Sequence, residues 1–401
     1  MNNDKTHDES GKIPATKSKN KDAIRLCFVN STKTWGGGER WHFENAEYAH
    51  HHGFKVSIIC SKNSSLHDKT SQAGIPCFPV DISNLSFLNP LKVHKLKRYF
   101  TSNRIDAVIF NGPSDLKTAG MAAFCAKVPI RIYRRGLAKA PHAGYLNRFL
   151  FTKVVTDFIV NSKATAGELL STSEKIKKKA RVHILYNGVE PHPKDIKHTS
   201  EQGKIVFGNA SRLVPQKGLH YLLDMASVLK ETRTDFTVRI AGTGPQEQAL
   251  KHKTNALNLN DVVEFSGFVD DIPAFMSGID VYVCTSVFEG FGFSIAEAMH
   301  AGKPVIGFDV SSNPELVSHE NTGYLVPPFD VHKLTEKAIV LMKNRDLRQK
   351  LGDEGKHVAM EKFNKTIQRE KLCKLVRMLC DGVMERKHDS TKERRNESTM
   401  G

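Results

Sequence analysis

Residues 289–297 read Glu289-Gly290-Phe291-Gly292-Phe293-Ser294-Ile295-Ala296-Glu297. An apolar run precedes them, Val281-Tyr282-Val283-Cys284-Thr285, with the character of a buried strand. A short helical stretch follows and is closed by Gly302 and Pro304. This is a strand–loop–helix crossover. It sets unpaired backbone N–H groups at the carboxyl end of a parallel sheet, where α/β proteins hold phosphates. The two carboxylates bracketing the loop would repel a phosphate, so their role is to accept hydrogen bonds from hydroxyls. A phosphate and a polyol together describe a nucleotide sugar.

The same alternation extends in both directions. Strand-length apolar runs lie at Ile24–Asn30, Val56–Cys60, Ile75–Val80, Ala107–Asn111, Pro129–Tyr133, Asp157–Asn161 and Val182–Tyr186. A second series lies at Ile205–Asn209, Phe236–Ala241, Val262–Phe265, Val281–Thr285, Pro304–Phe308 and Tyr324–Val326. Many are continuous Val/Ile rather than alternating, as strands covered on both faces are. Helical stretches such as Tyr221–Thr232 and Val331–Lys343 lie between them. The pattern predicts a parallel α/β sheet built twice. The boundary is expected near Pro191–Gly203, which has prolines, mixed charge and no apolar period.

The expected units are a polar tail over 1–22, a first α/β domain over 23–195 and a second over 196–364. A helix over 365–385 carries Ile367, Leu372, Leu375, Val376 and Leu379 on one stripe, suited to packing across domains. The lysine-rich start and residues 386–401 are expected to be disordered tails. The start has no apolar core and does not read as a signal peptide. No apolar run approaches the ~20 residues needed to cross a bilayer. The seven cysteines show no zinc-like spacing, and several fall inside strand runs. A reducing, cytoplasmic setting without a disulfide framework follows.

Charge is unevenly placed. Residues 23–195 hold 26 Lys and Arg against 12 Asp and Glu, which accounts for +14 of the net +16. A field of one sign on one half points to an anionic partner, against the blander reading of a solubility surface.

The second half carries a set of short motifs in order: Ala210-Ser211-Arg212-Leu213 with Lys217-Gly218, then Ala241-Gly242-Thr243-Gly244-Pro245, then Phe265-Ser266-Gly267-Phe268. The Glu289…Glu297 run follows, then Ala301-Gly302-Lys303-Pro304-Val305, Pro314-Glu315-Leu316 and Asn321-Thr322-Gly323-Tyr324-Leu325-Val326. The first half adds Gly36-Gly37-Gly38-Glu39-Arg40, Val160-Asn161-Ser162 and Tyr186-Asn187-Gly188-Val189. The chain resembles the retaining nucleotide-sugar glycosyltransferases of the GT-B fold, family-four type. The resemblance is dense over 204–345 and thinner before that. It implies two doubly wound, Rossmann-like domains facing across a cleft.

By resemblance, Glu297 binds the nucleotide ribose hydroxyls and Glu289 contacts and orients the donor sugar. The alternative for Glu297 is structural, because Ser294-x-x-Glu297 also spells a helix capping box. Gly292, Phe293 and Ser294 present backbone N–H groups to the diphosphate. Arg212 and Lys217 follow the strand Ile205–Asn209 and are placed to stabilise charge developing on the leaving diphosphate. Gly37 and Gly38 allow close approach from the opposite domain, and Gly242 and Gly244 shape the wall of the base pocket. No metal-ligand cluster is evident, so neither a metal nor another cofactor is expected.

One departure stands out. Where relatives carry a histidine, the best register places Arg135, beside Arg134. Arginine is no general base, but a pair could grip an acidic acceptor. His142, seven residues on, is the substitute candidate, with solvation as its plainer reading.

The resulting expectation is a retaining transferase moving a sugar from a nucleoside-diphosphate sugar to a hydroxyl of an anionic, lipid-linked glycan. The setting would be bacterial lipopolysaccharide or surface-polysaccharide synthesis, at the inner face of the cytoplasmic membrane. Basic amphipathic stretches at Leu91–Phe100 and Tyr145–Phe151 fit an anionic membrane surface as partner, or core-facing helices with solvated lysines. The alternatives are a GT-B nucleotide-sugar epimerase and a basic nucleic-acid-binding protein. The second lacks any recognisable nucleic-acid motif, so no nucleic-acid partner is expected.

Overall fold

The computed structural model describes residues 23–142, 144–191 and 203–399, with side chains through Glu385. The first sheet has seven strands: β1 (Arg25–Asn30), β2 (Lys55–Cys60), β3 (Cys77–Pro79), β4 (Ala107–Phe110), β5 (Ile130–Arg135), β6 (Asp157–Val160) and β7 (Val182–Ile184). The second has six: β8 (Ile205–Ala210), β9 (Phe236–Ala241), β10 (Val263–Gly267), β11 (Val281–Cys284), β12 (Val305–Phe308) and β13 (Gly323–Val326). All thirteen lie on apolar runs recognised above. Their spatial orders are β3-β2-β1-β4-β5-β6-β7 and β10-β9-β8-β11-β12-β13. Every ladder is parallel.

The continuous Val/Ile runs are explained by cover on both faces. In β11 and β12 all residues are buried. One core lies on each face of each sheet. Val206, Tyr282 and Val305 face one core of the second sheet, while Phe207, Val283 and Ile306 face the other. This is the two-period of a strand read twice over.

The boundary expected near Pro191–Gly203 falls largely on 192–202, outside the described residues, as does the 1–22 tail. The C-terminal helix extends further than 365–385, running from Lys365 to Thr399. Its Leu372, Cys373, Val376, Leu379 and Cys380 join Leu26, Phe28 and Ile58 in one core of the first sheet. The chain therefore crosses back to its first domain at the end. At the crossing, Val189 N donates to Phe363 O (2.8 Å) and Lys365 N donates to Val189 O (3.0 Å).

Candidate active site

Each sheet reverses strand order once, between β1 and β4 and between β8 and β11. Crevices open at such points because the two flanking loops diverge to opposite faces. The motifs singled out from the sequence cluster there. Gly36–Gly38 follows β1, Arg212 and Lys217 follow β8, and Glu289–Glu297 follows β11.

The two loops of the second domain are tied together. Lys217 Nζ donates to Glu289 Oε1 at 2.5 Å, and Ser286 Oγ donates to the same oxygen at 2.7 Å. Glu289 is buried. Gly218 has a left-handed backbone (φ 58°), and a Cβ there would stand 2.2 Å from Thr285 O. Only glycine permits that approach, so Lys217-Gly218 positions the lysine beside the β11 loop. Arg212 is exposed and has no ion-pair partner among the described residues. Gly242 and Gly244 press against this same loop, their missing Cβ positions 1.8 Å from Ser211 O and 2.5 Å from Leu213 O. They shape the loop bearing Arg212.

The helix Phe293–His300 begins at Gly292, whose φ of 93° again requires glycine, and no side chain caps it. Its first N–H groups therefore lack intrahelical partners and remain available to an anion. The capping box that the sequence allows does not form. Ser294 sits inside the helix and its Oγ donates to Ala210 O at 2.6 Å, tying the helix start to the end of β8. The Glu297 carboxyl has no hydrogen-bond partner among the described residues, although its backbone carbonyl accepts from Ala301 N (3.0 Å). Burial raises its carboxyl to about 7, with the positive charges of Arg40 and Lys217 opposing that rise. Replacing Ser294 with Ala should lower stability by about 1 kcal/mol through the lost bond, measured by denaturant titration. A loss near zero would assign the helix start to packing alone.

On the first domain, Gly36 caps the helix Gly37–His51. A Cβ on Gly38 would meet Asn111 Nδ2 at 3.0 Å, and one on Gly37 would meet Phe293 across the cleft at 3.9 Å. Behind this turn, Glu39 accepts from Asn30 Nδ2 (3.3 Å) and Asn111 Nδ2 (3.4 Å).

The two arginines are parted by strand alternation. Arg134 is buried, lies 4.5 Å over the Trp41 ring, and donates to Asn111 Oδ1 and Asn187 Oδ1, both at 3.3 Å. Burial lowers its guanidinium to about 10, against the pull of Glu39. Arg135 bonds Lys139 O, and its Nε is enclosed without a partner among the described residues. The pair does not form one clamp. His142 accepts from Gly144 N at 3.1 Å in an exposed loop.

Sequence reasoning did not foresee the contacts that Glu315 makes between the domains. Glu315 reaches from the second domain to accept from Lys163 N (2.7 Å), Ala164 N (2.8 Å) and Tyr186 Oη (3.1 Å). It thereby caps the helix Lys163–Leu170 of the first domain. The available signal was Pro314-Glu315-Leu316 itself, whose function nothing local explains. A cavity of about 480 Å³ opens between the domains, lined by Trp35, Gly37, Arg40, Phe293 and Glu297 among others. Both tryptophans of the chain, Trp35 and Trp41, border it. Among the described residues no group of three or more His, Cys, Asp or Glu side chains could hold a metal ion.

Residues 35–192 match the family described as Glycosyltransferase Family 4, and residues 193–358 match Glycosyl transferases group 1. The chain belongs to the GT-B glycosyltransferases of family-four type. Among the relatives of this GT-B chain is the putative colanic acid biosynthesis glycosyltransferase WcaL of Escherichia coli K12. It is 33% identical over 153 residues, which are 36% of this chain and 37% of that protein. The chain thus spans well under half the length of the first curated relatives it matches. Two solved structures share the GT-B fold over far more of it. Anabaena Alr3699/HepE in complex with UDP has a TM-score of 0.75 at 21% identity, covering 88% of this chain and 100% of that one. The apo form of the lipopolysaccharide outer core galactosyltransferase WaaB has a TM-score of 0.68 at 16% identity, covering 87% and 98%.

Proposed function

We propose that the chain transfers a sugar, with retention, from a nucleoside-diphosphate sugar to a hydroxyl of an anionic, lipid-linked glycan. The observation that carries this is the meeting of Lys217, Glu289 and the uncapped helix start at Gly292 on one switch point. The N–H groups at Phe293 and Ser294, with Arg212 and Lys217, meet the diphosphate. Glu289 orients the sugar and Glu297 accepts from the ribose hydroxyls. As the glycosyl bond breaks, the fixed cations stabilise the charge gathering on the diphosphate. The leaving phosphate oxygen takes the acceptor proton on the same face, so no protein base is required. The complexes of Alr3699/HepE with UDP and with UDP-glucose support a diphosphate donor. The names of WcaL and WaaB support a surface-glycan acceptor.

The anionic acceptor reading rests on the basic first domain and on the enclosed, unpartnered Nε of Arg135 at the end of β5. A thermal-shift panel of UDP-, GDP-, ADP- and CMP-sugars tests the donor half, since a specific ligand raises apparent stability. Incubation with the stabilising donor alone should give no isomer; an isomer would establish an epimerase instead. Transfer is expected to survive EDTA, because cations already face the leaving group. Loss of activity in EDTA, restored by Mg²⁺ or Mn²⁺, would overturn that expectation.

A further inference from the structure

Three leucines of the first domain stand in water. Leu85, Leu88 and Leu91 are 69%, 66% and 80% exposed within seven residues of chain. They surround the start of the helix Pro90–Ser102, which buries Leu96 and Phe100 on its opposite face. Leu91, His94, Lys95 and Arg98 recur at i, i+3, i+4 and i+7 and are all exposed, forming one solvent stripe. Beside Leu91 opens a cavity of about 400 Å³, lined by Lys62, Lys92 and Lys95 with Asp81 as its acidic member. Lys92 is held there, its Nζ donating to Asp81 O (2.5 Å) and Ser86 Oγ (3.1 Å). Lys62 and Arg98 have no ion-pair partner among the described residues.

We infer that this corner docks the protein on an anionic bilayer: Leu85, Leu88 and Leu91 enter the interface while Lys62, Lys92 and Lys95 seat a lipid phosphate. An apolar tip ringed by cations matches an interface whose surface is anionic and whose interior is acyl. The placement suits the reaction. The lining reaches Lys62, just past the end of β2, and Pro79 at the end of β3, the same edge of the sheet that carries the cleft. Ser61 Oγ donates to Ser31 O (2.6 Å), tying the loop after β2 to the loop that leads to Gly36–Gly38. Ser114 Oγ donates to Asn84 Oδ1 (2.8 Å), tying the leucine loop to the segment after β4. A docked corner therefore holds the open edge of the cleft at the membrane, within reach of a lipid-borne acceptor. The inference rests on the membrane-borne acceptor proposed above.

The competing surface is aromatic. Tyr145 is 89% exposed, and Phe149 packs edge-on against Phe124 at 6.3 Å.

Co-sedimentation of the full chain with vesicles of phosphatidylcholine alone, or mixed with phosphatidylglycerol, tests the assignment. Binding is expected only to the mixed vesicles, and to fall with salt. L85S/L88S/L91S should weaken it at least ~100-fold. K62Q/K95Q/R98Q should weaken it by ~100-fold, at about fivefold per cation, and flatten the salt dependence. Both variants change exposed or rim positions, and their thermal shift with the donor sugar should equal that of the unmodified chain. Unmodified protein that ignores anionic vesicles at low salt overturns the inference, as does undiminished binding by L85S/L88S/L91S. Loss of binding in Y145S/F149S, with the leucine variant unaffected, moves the docking face elsewhere and also overturns it. Absence of any donor-induced shift in the unmodified chain would instead overturn the proposed function and leave vesicle binding standing.

Discussion

Lys217→Met is expected to lower turnover by ~10²-fold or more, the scale of losing one donor to developing transition-state charge. The structure adds a second consequence. Lys217 Nζ lies 2.5 Å from Glu289 Oε1, with the two side chains only 17% and 9% exposed. Removing the lysine leaves a buried carboxylate with Ser286 as its remaining side-chain partner. Stability should therefore fall as well, by about 3 kcal/mol, as when one member of a buried pair is deleted. Glu289→Gln should likewise lower turnover while keeping the fold. The double variant K217M/E289Q separates the two effects. Stability should return toward that of the parent, while turnover stays at the level of the worse single variant, because the residues act as a unit. Denaturant titration and steady-state kinetics on the three proteins provide the check. Additive losses in turnover would show that Lys217 and Glu289 act separately, and unchanged turnover in folded Lys217→Met would remove the lysine from the mechanism.

Donor binding is expected to weaken as pH falls below about 7, by about tenfold per pH unit. Glu297 is the cause. Its carboxyl is raised to about 7 chiefly by burial, and only the ionised form accepts from two ribose hydroxyls. The stability effect runs the other way. A carboxyl raised in the folded state binds its proton there more readily than in the unfolded chain. Over the window between the ordinary carboxylate value of 4.5 and about 7, its contribution to stability therefore decreases as pH rises. Glu297→Gln should show a donor Michaelis constant that is high and independent of pH. It should also gain stability relative to the parent above pH 7, and lose that gain toward pH 4.5. A parent enzyme whose donor affinity is flat across this window would show that Glu297 does not bind the ribose in its ionised form. Arg40 stands opposite Glu297 in the interdomain cavity. Arg40→Gln should move the pH profile upward, since it removes a charge that favours the carboxylate.

Much of the second domain's fold and its switch-point loops could be read without coordinates. Thirteen apolar runs became thirteen strands; the central ones, such as β11 and β12, are apolar throughout because they are covered on both faces, whereas the edge strands β3, β7 and β10 are only partly buried. The glycines that punctuate the second half marked real backbone constraints. Gly218 and Gly292 adopt left-handed conformations that fix where Lys217 and the helix start fall. Ser294 shows where local reading stops. Its spacing to Glu297 satisfies a capping box, but Ala210 O offers its hydroxyl a partner 84 residues away, and the box does not form. The helix instead starts at Gly292 with no side-chain cap, and the Glu297 carboxyl is left without a hydrogen-bond partner among the described residues.

Arg134 and Arg135 make the same point on the first domain. As neighbours in a strand they had to face opposite sides, but which side was core depended on Trp41, Asn111 and Asn187, all distant in sequence. The stripe Leu91, His94, Lys95 and Arg98 follows from the helical period, whereas the exposure of Leu85 and Leu88 beside it does not. Hydrophobic period and turn residues thus specify the elements, their parallel pairing and the loops at the two switch points, because each depends on residues a few positions apart. The Lys217–Glu289 pair, the Glu315 cap across the cleft and the cavity beside Glu297 join residues 72 or more positions apart. Such contacts arise only when two sheets have twisted, closed their crevices and been set face to face by the returning C-terminal helix.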